Sequence, residues 1–374
     1  MIRYIECYSD YLRLENFIKT SLNTLSCSFL SRKLFGESGK YFIHIYHLYT
    51  FLGLITSSFY FANNITMWSI IVAEFITVIQ MLIKYLAILS NKENLEQLFI
   101  WIRHLHERHE INSIRNSTEK LLSTNLEIIL RILKFIFPCS IVAGLGFGYY
   151  VITTDTIIFA VPWLEPNDNN KSLIYHHINQ IIITCLSSVI IIFYDAIFIS
   201  IGFYFIAVLN IFRDMIQCLD NPELKNRRKI LKICYLFHWS ILSKFKLFNN
   251  VFYGYLFIQI VSCASYIFIL FYLMFTTEDF SFVPASITVY FQFGALCIFG
   301  EAVYTKSERI FIDLYLTNWY DFNSVDQKFL LMMMKMSMKP IGFKFAGAYD
   351  INCVMFIQVM KIGFSYGTLL YTFS

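Results

Sequence analysis

The sequence predicts an all-α membrane protein with seven transmembrane helices, its N-terminus cytoplasmic and its C-terminus extracellular. Three observations predict it. Hydrophobic residues make up 57% of the 374 residues and charged residues 15%, against roughly 45–50% and about 25% in soluble domains. Stretches near the ~20 apolar residues that a bilayer demands recur at 41–62, 66–90, 126–153, 177–212, 247–276, 283–304 and 345–373 (S1 to S7). The Lys and Arg residues of the connections collect on alternating sides: one set carries clusters such as Arg227, Arg228, Lys229 and Lys232, the other only Lys171. The positive-inside rule puts the rich set in the cytoplasm.

Each element follows in order. Residues 1–40 open on the charged, amphipathic run MIRYIECYSDYLRLENF with no small-residue cleavage site, so they read as an uncleaved cytoplasmic segment. His44 and His47 on S1, and His176 and His177 at the start of S4, read as interfacial or packing residues. Lys84 on S2 and Arg131 and Lys134 on S3 lie near cytoplasmic ends, where long side chains snorkel to water. Gly144, Gly146 and Gly148 either let S3 approach a neighbour closely or leave room for a ligand. S4 is long enough for a hairpin, but Gly202 is weak punctuation and the charge parity requires a single crossing. S4 is therefore expected to be one helix of ~54 Å that continues into the cytoplasm.

Charges inside spans are costly and so point to a purpose. Glu74 on S2 fits either a hydrated cavity or a hydrogen-bonded structural carboxyl. Asp195 on S4 and Glu301 on S6 read as structural locks. On S7, Lys361, Ser365, Leu369 and Phe373 share one helical stripe, and a lysine there favours water or a neighbouring subunit over lipid.

Enzyme chemistry is missing: no nucleotide loop, H-E-x-x-H or nucleophile elbow occurs. The run His104-Leu105-His106-Glu107-Arg108-His109 reads as a solvated helix face, with no set of metal ligands to complete His106 and His109. The nine cysteines lack metal or disulfide spacing and read as small buried hydrophobes. Of three glycosylation sequons, Asn170 is placed outside and modifiable, Asn64 too near the membrane, and Asn116 inside. The topology is inverted relative to G-protein-coupled receptors, and neither D-R-Y after S3 nor N-P-x-x-Y in S7 is present. A secondary transporter would carry internal repeats and broken helices, and neither is visible.

The last eighty or so residues carry a signature: Cys297, Gly300, Glu301, Ser307, Tyr315, Trp319-Tyr320, Lys328, Met332-Met333-Met334, Pro340 and Ser365-Tyr366. With the inverted topology, this resembles the insect odorant receptor family; the related gustatory receptors, an alternative, end in a T-Y-(five apolar)-Q-F pattern that reads here as Ser365-Tyr366-GTLLY-Thr372-Phe373. The resemblance implies a subunit of a tetrameric, odorant-gated, non-selective cation channel in the plasma membrane of sensory neurons, needing no G protein, cofactor or nucleic acid. The short connection at 213–246 implies a tuning subunit, partnered with the shared co-receptor, which has a long insertion there. The implied layout is 1–40 as cytoplasmic segment, 41–300 as spans S1 to S6, 301–344 as a cytoplasmic anchor with an S7a helix at 301–337, and 345–374 as the pore helix.

Residues carry over from the resemblance as follows. The pore and gate fall on Leu369 and Phe373, flanked by Ser365 and Thr372. The subunit anchor includes Tyr315, Trp319 and Tyr320. The odorant pocket in the outer half of the bundle is expected among Phe75, Ile76 and Ile79 on S2. On S3 it takes Ser140, Gly144, Phe147 and Tyr150, and on S4 Ile181, Thr184 and Cys185. Tyr272 on S5 and Tyr290 and Phe293 on S6 complete it. Aromatic walls without an ion partner imply a small, volatile, neutral ligand.

Overall fold

The computed structural model describes residues 4–25, 42–61, 65–107, 112–164, 170–220, 227–277 and 283–373. The described chain is almost wholly helical: α1 (Tyr8–Leu25), α2 (Phe42–Tyr60), α3 (Ile65–Ser90), α4 (Lys92–Leu105), α5 (Asn112–Thr153), α6 (Asn170–Cys218), α7 (Arg227–Thr277), α8 (Val283–Tyr315), α9 (Ser324–Ser337) and α10 (Cys353–Phe373). A 3-10 turn, Trp319–Asp321, separates α8 from α9, and a small hairpin of β1 (Lys344–Phe345) and β2 (Tyr349–Asp350) precedes α10.

S4 is one continuous helix of 49 residues, ~74 Å at 1.5 Å per residue. S3 and S5 are longer than their apolar cores too, at 42 and 51 residues. Apolar composition marks only the part of a helix in lipid, and the amphipathic extensions beyond it build an inner core. Helices α3, α5, α6, α7 and α8 are long and apolar enough to cross a bilayer; α2 and α10, the other two expected spans, are shorter or less apolar.

Two sequence expectations need correcting. Helix α8 runs unbroken through residue 301 to Tyr315, so 301–337 is not one S7a helix. Only α9 stands apart, with Asn323 as N-cap accepting from the Asp326 amide at 2.9 Å. The last helix starts at Cys353 and not at 345, because Ala346 and Gly347 adopt left-handed backbone (φ 51° and 74°) and turn the chain into the hairpin.

Close approach organises the packing. A Cβ on Gly144 would lie 2.7 Å from Ser188 Oγ, and one on Gly148 would lie 3.3 Å from Ile181 Cγ1, whereas Gly146 faces open space. So two of the three glycines let α5 seat against α6. An inner cluster joins α1 and α4 to the long extensions of α5 to α8; an outer cluster joins α2, α3 and the outer parts of α5 to α7.

The clearest departure from expectation is Lys84. It does not snorkel. Its side chain is fully buried, and Nζ meets Asp195 Oδ1 at 2.7 Å. The Tyr255 hydroxyl donates to the same oxygen at 2.6 Å, and Gln292 Nε2 to Asp195 Oδ2 at 3.3 Å. One carboxylate thus ties α3, α6, α7 and α8 together, as a structural Asp195 requires.

Helix α1 is clasped to α4. Glu15 receives hydrogen bonds from Arg103, and Lys19 lies 2.9 Å away. Burial opposes the Glu15 charge, but these bonds outweigh it and hold the carboxyl below its ordinary range. His106 is buried too. Its ring stacks on Tyr11 with centroids 4.6 Å apart, and its Nδ1 donates to Ile102 O at 2.9 Å. Burial pushes its pKa down to about 4. His106 is therefore a packed residue and not a solvated one; His109 lies outside the described residues.

Both groups bind fewer protons folded than unfolded, so the clasp strengthens with pH. The His106 contribution is complete above the unfolded value near 6.5 and is lost as pH falls toward about 4. The Glu15 contribution is lost only below the ordinary carboxylate range. Between pH 7.5 and 5 we expect a loss of about 2 kcal/mol from His106. Hydrogen exchange of α1 amides, corrected for intrinsic rates, checks it: exchange should accelerate at pH 5, and His106→Phe should remove most of the acceleration.

Candidate functional site

The outer cluster lies toward the predicted extracellular side. Leu54 of α2, Ile71 and Val78 of α3, Val151 of α5, Ile183 of α6 and Leu273 of α7 form its buried centre. Phe75, Phe147, Tyr150, Tyr266 and Tyr272 pack around it half-buried. Few polar groups enter. Thr77 Oγ1 and the Tyr266 hydroxyl meet at 2.7 Å, and Tyr46 donates to Ile183 O at 3.0 Å. Glu74, three residues before Thr77, is half-buried on the same helix.

The α5–α6 connection closes this cluster. Ile157, Ile158, Phe159 and Ala160 are all buried, and buried backbone needs partners. Helix α6 supplies them: Gln180 Oε1 accepts from the Ile158 amide at 2.6 Å, His176 Nδ1 from Val161 at 3.0 Å, and Asn179 Nδ2 donates to Phe159 O at 3.0 Å. Ser57 Oγ of α2 accepts from Ala160 at 3.0 Å. The polar residues at the start of α6 thus plug the loop into the bundle. His176 and His177 are buried there, as packing residues.

The predicted pocket residues divide. Phe75, Phe147, Tyr150 and Tyr272 join the outer cluster. Ile76, Ile181 and Cys185 are half-buried, and Ile79 is exposed. Ser140 and Thr184 spend their hydroxyls on their own helices, at Ile136 O (3.0 Å) and Ile181 O (3.1 Å). Gly144 is a helix contact. Tyr290 packs on Phe271 at 6.0 Å between ring centroids. Phe293 is fully buried in the inner cluster, 5.5 Å from the Phe356 ring of α10, so it belongs to the α8–α10 seam. Sequence reasoning missed Tyr266, Thr77 and the capping segment. Tyr266 sits on S5 among many aromatics, and a loop cap has no periodicity to reveal it.

The last helix has two unlike faces. A Cβ on Gly363 would lie 2.7 Å from Ile267 Cγ2 of α7, so this face is packed. Lys361, Ser365, Leu369 and Thr372 are exposed. The Phe373 side chain and that of Asn170, the first residue of α6, lie outside the described side chains. Tyr315, Trp319 and Tyr320 are exposed, as are Leu316, Leu331, Met332 and Met338. Much of the C-terminal signature is structural. Gly300 lets α8 press against Ile351 O, and Ser307 Oγ accepts from the Ile341 amide at 2.9 Å.

Among the described residues no three His, Cys, Asp or Glu side chains gather to hold a metal. Long apolar helices around a capped aromatic cluster define a helical membrane protein. A sequence profile of the 7tm odorant receptor family matches residues 70–364, and the chain belongs to that family. Its fold is similar to that of the insect olfactory receptor OR5 from Machilis hrabei solved in complex with eugenol: TM-score 0.75, 16% identity, 98% of this chain and 100% of that one covered. A second structure of that receptor gives a TM-score of 0.72 at 13% identity, covering 98% and 99%. No curated protein sequence matches.

Proposed function

We propose that this chain is the odorant-binding subunit of a ligand-gated, non-selective cation channel, assembled with a shared co-receptor in the sensory-neuron plasma membrane. The observation that carries the reading is α10. One face is packed on α7 through Gly363, while Lys361, Ser365, Leu369 and Thr372 are bare in a single chain. A bare polar-and-apolar stripe on a spanning helix calls for water and neighbouring subunits. The exposed side chains of Tyr315, Trp319 and Tyr320 suit a subunit anchor. In this reading the seven helices run from a cytoplasmic N-terminus to an extracellular C-terminus, which puts Asn170 outside.

The ligand sits in the outer cluster, where Phe75, Phe147, Tyr150, Tyr266 and Tyr272 favour a small, mainly neutral and aromatic molecule. The Thr77–Tyr266 pair offers one polar contact. Binding opens the pore only through different affinities for the open and closed states. The short span between Cys218 and Arg227 supports the tuning role, since the co-receptor of this family carries an insertion there. Whole-cell recording tests the assignment: odorant-evoked cation current with the co-receptor and none without it. Current from this chain alone, or odorant uptake without current, overturns it.

Leu369 and Phe373 form the apolar constriction, which blocks ions by dewetting. Leu369→Ala or Phe373→Ala should raise basal leak several-fold or shift the reversal potential. Unchanged permeation in both variants removes them from the pore.

A further inference from the structure

A half-open cavity lies between α6 and α8. It has a volume of about 360 Å³, and its lining includes Leu209, Ile298, Arg213, Lys306, Arg309 and Cys353. Arg213 comes from α6, Lys306 and Arg309 from α8. Arg213 and Arg309 reach water and Lys306 is half-buried, so solvent screens part of the repulsion among the three cations, and an anion between them would relieve the rest. The existing partners also offset the charge in part. Asp313 Oδ2 lies 3.3 Å from Arg213 Nε, and Lys306 Nζ donates to Asn210 Oδ1 at 2.7 Å. Arg309 has no partner among the described residues. The one carboxylate in the lining, Glu301, is hydrogen-bonded by Thr305 at 3.4 Å. Lys306, beyond the 283–304 span, is held below the ordinary lysine range by burial and then by Arg213 and Arg309.

Two further features point to an anion. Cys353 is the first residue of α10, so the positive end of that helix borders the cavity. The walls also change character along α8. Ile298 is exposed and apolar, and Arg309 lies ~16 Å further along the helix. An apolar stretch above a basic one suits a chain bearing a phosphorylated headgroup.

We propose that this cavity binds a phosphomonoester anion, held by Arg213, Lys306, Arg309 and the start of α10. The side of the membrane rests on the orientation proposed above; the chemistry of the cavity does not. Occupancy would bridge α6 and α8 to the base of the last helix.

Binding to the purified full-length chain in nanodiscs tests this without odorant or current, so its outcome is separate from that of the channel reading. One arm uses a phosphatidylinositol bisphosphate in the bilayer, the other soluble inositol trisphosphate. Saturable binding of the first alone identifies a lipid headgroup; binding of the second with equal affinity identifies a free phosphate. In either case Lys306→Gln with Arg309→Gln should weaken binding at least tenfold, and Arg309→Lys should retain most of it. Lys335→Gln with Lys339→Gln, which removes exposed charge elsewhere on that side, should leave it unchanged. No saturable binding of either probe overturns the proposal. So does an equal loss in the Lys335 and Lys339 variant, which would reduce the effect to general surface attraction.

Discussion

Lys84→Met should abolish delivery of the chain to the cell surface, and Lys84→Met combined with Asp195→Asn should restore most of it. Lys84 is fully buried 2.7 Å from Asp195. Removing one partner of a buried ion pair costs about 3–5 kcal/mol, because the other charge is left uncompensated. That approaches the whole stability of a typical domain. In the single variant only Tyr255 and Gln292 still donate to the carboxylate. Asn at 195 removes the charge while keeping an oxygen for Tyr255, so the double variant lacks the penalty. Surface biotinylation measures the result. Equal losses in the single and double variants would mean that the shape of Lys84, and not its charge, matters.

Gly300→Ala should be the second severe variant. The added methyl has nowhere to go: a Cβ at Gly300 collides with the Ile351 carbonyl. Backbone cannot rotate away as a side chain can. The Ile351 amide is bonded to Phe343 O at 2.9 Å, which fixes the hairpin that leads into α10. Over-packing of this kind costs about 1–3 kcal/mol and displaces the start of the last helix. We expect at least a several-fold fall in surface protein, with altered basal current in what remains. Gly146→Ala on α5, which meets open space, is the matched control. A Gly300→Ala channel with ordinary expression and gating would show that α8 and the hairpin can separate freely.

Particular residues show what the sequence carried. The single crossing of S4 was legible because charge sidedness is a property of the chain alone: a hairpin would have reversed every later loop. Lys361, Ser365 and Leu369, which share a stripe by spacing, are all exposed, together with Ile362, Phe364 and Tyr366 off that stripe. The snorkelling expected of Lys84 was wrong because the partner that holds it, Asp195, is 111 residues away, and no local pattern reports such a pair. Phe293 matched the aromatic face expected of a pocket. Only the position of Phe356 shows that this face meets the last helix.

The sequence by itself determined the all-helical membrane class and, through its C-terminal signature, the family resemblance. These depend on local quantities: apolar length, charge placement and short-range spacing. The tertiary structure alone decided which of the predicted aromatic residues join the outer cluster and how the α5–α6 connection caps it. It also decided that Gly300 meets Ile351 and that three cations share a cavity with the start of α10. Those are distances between segments far apart in the chain, set by how the helices pack.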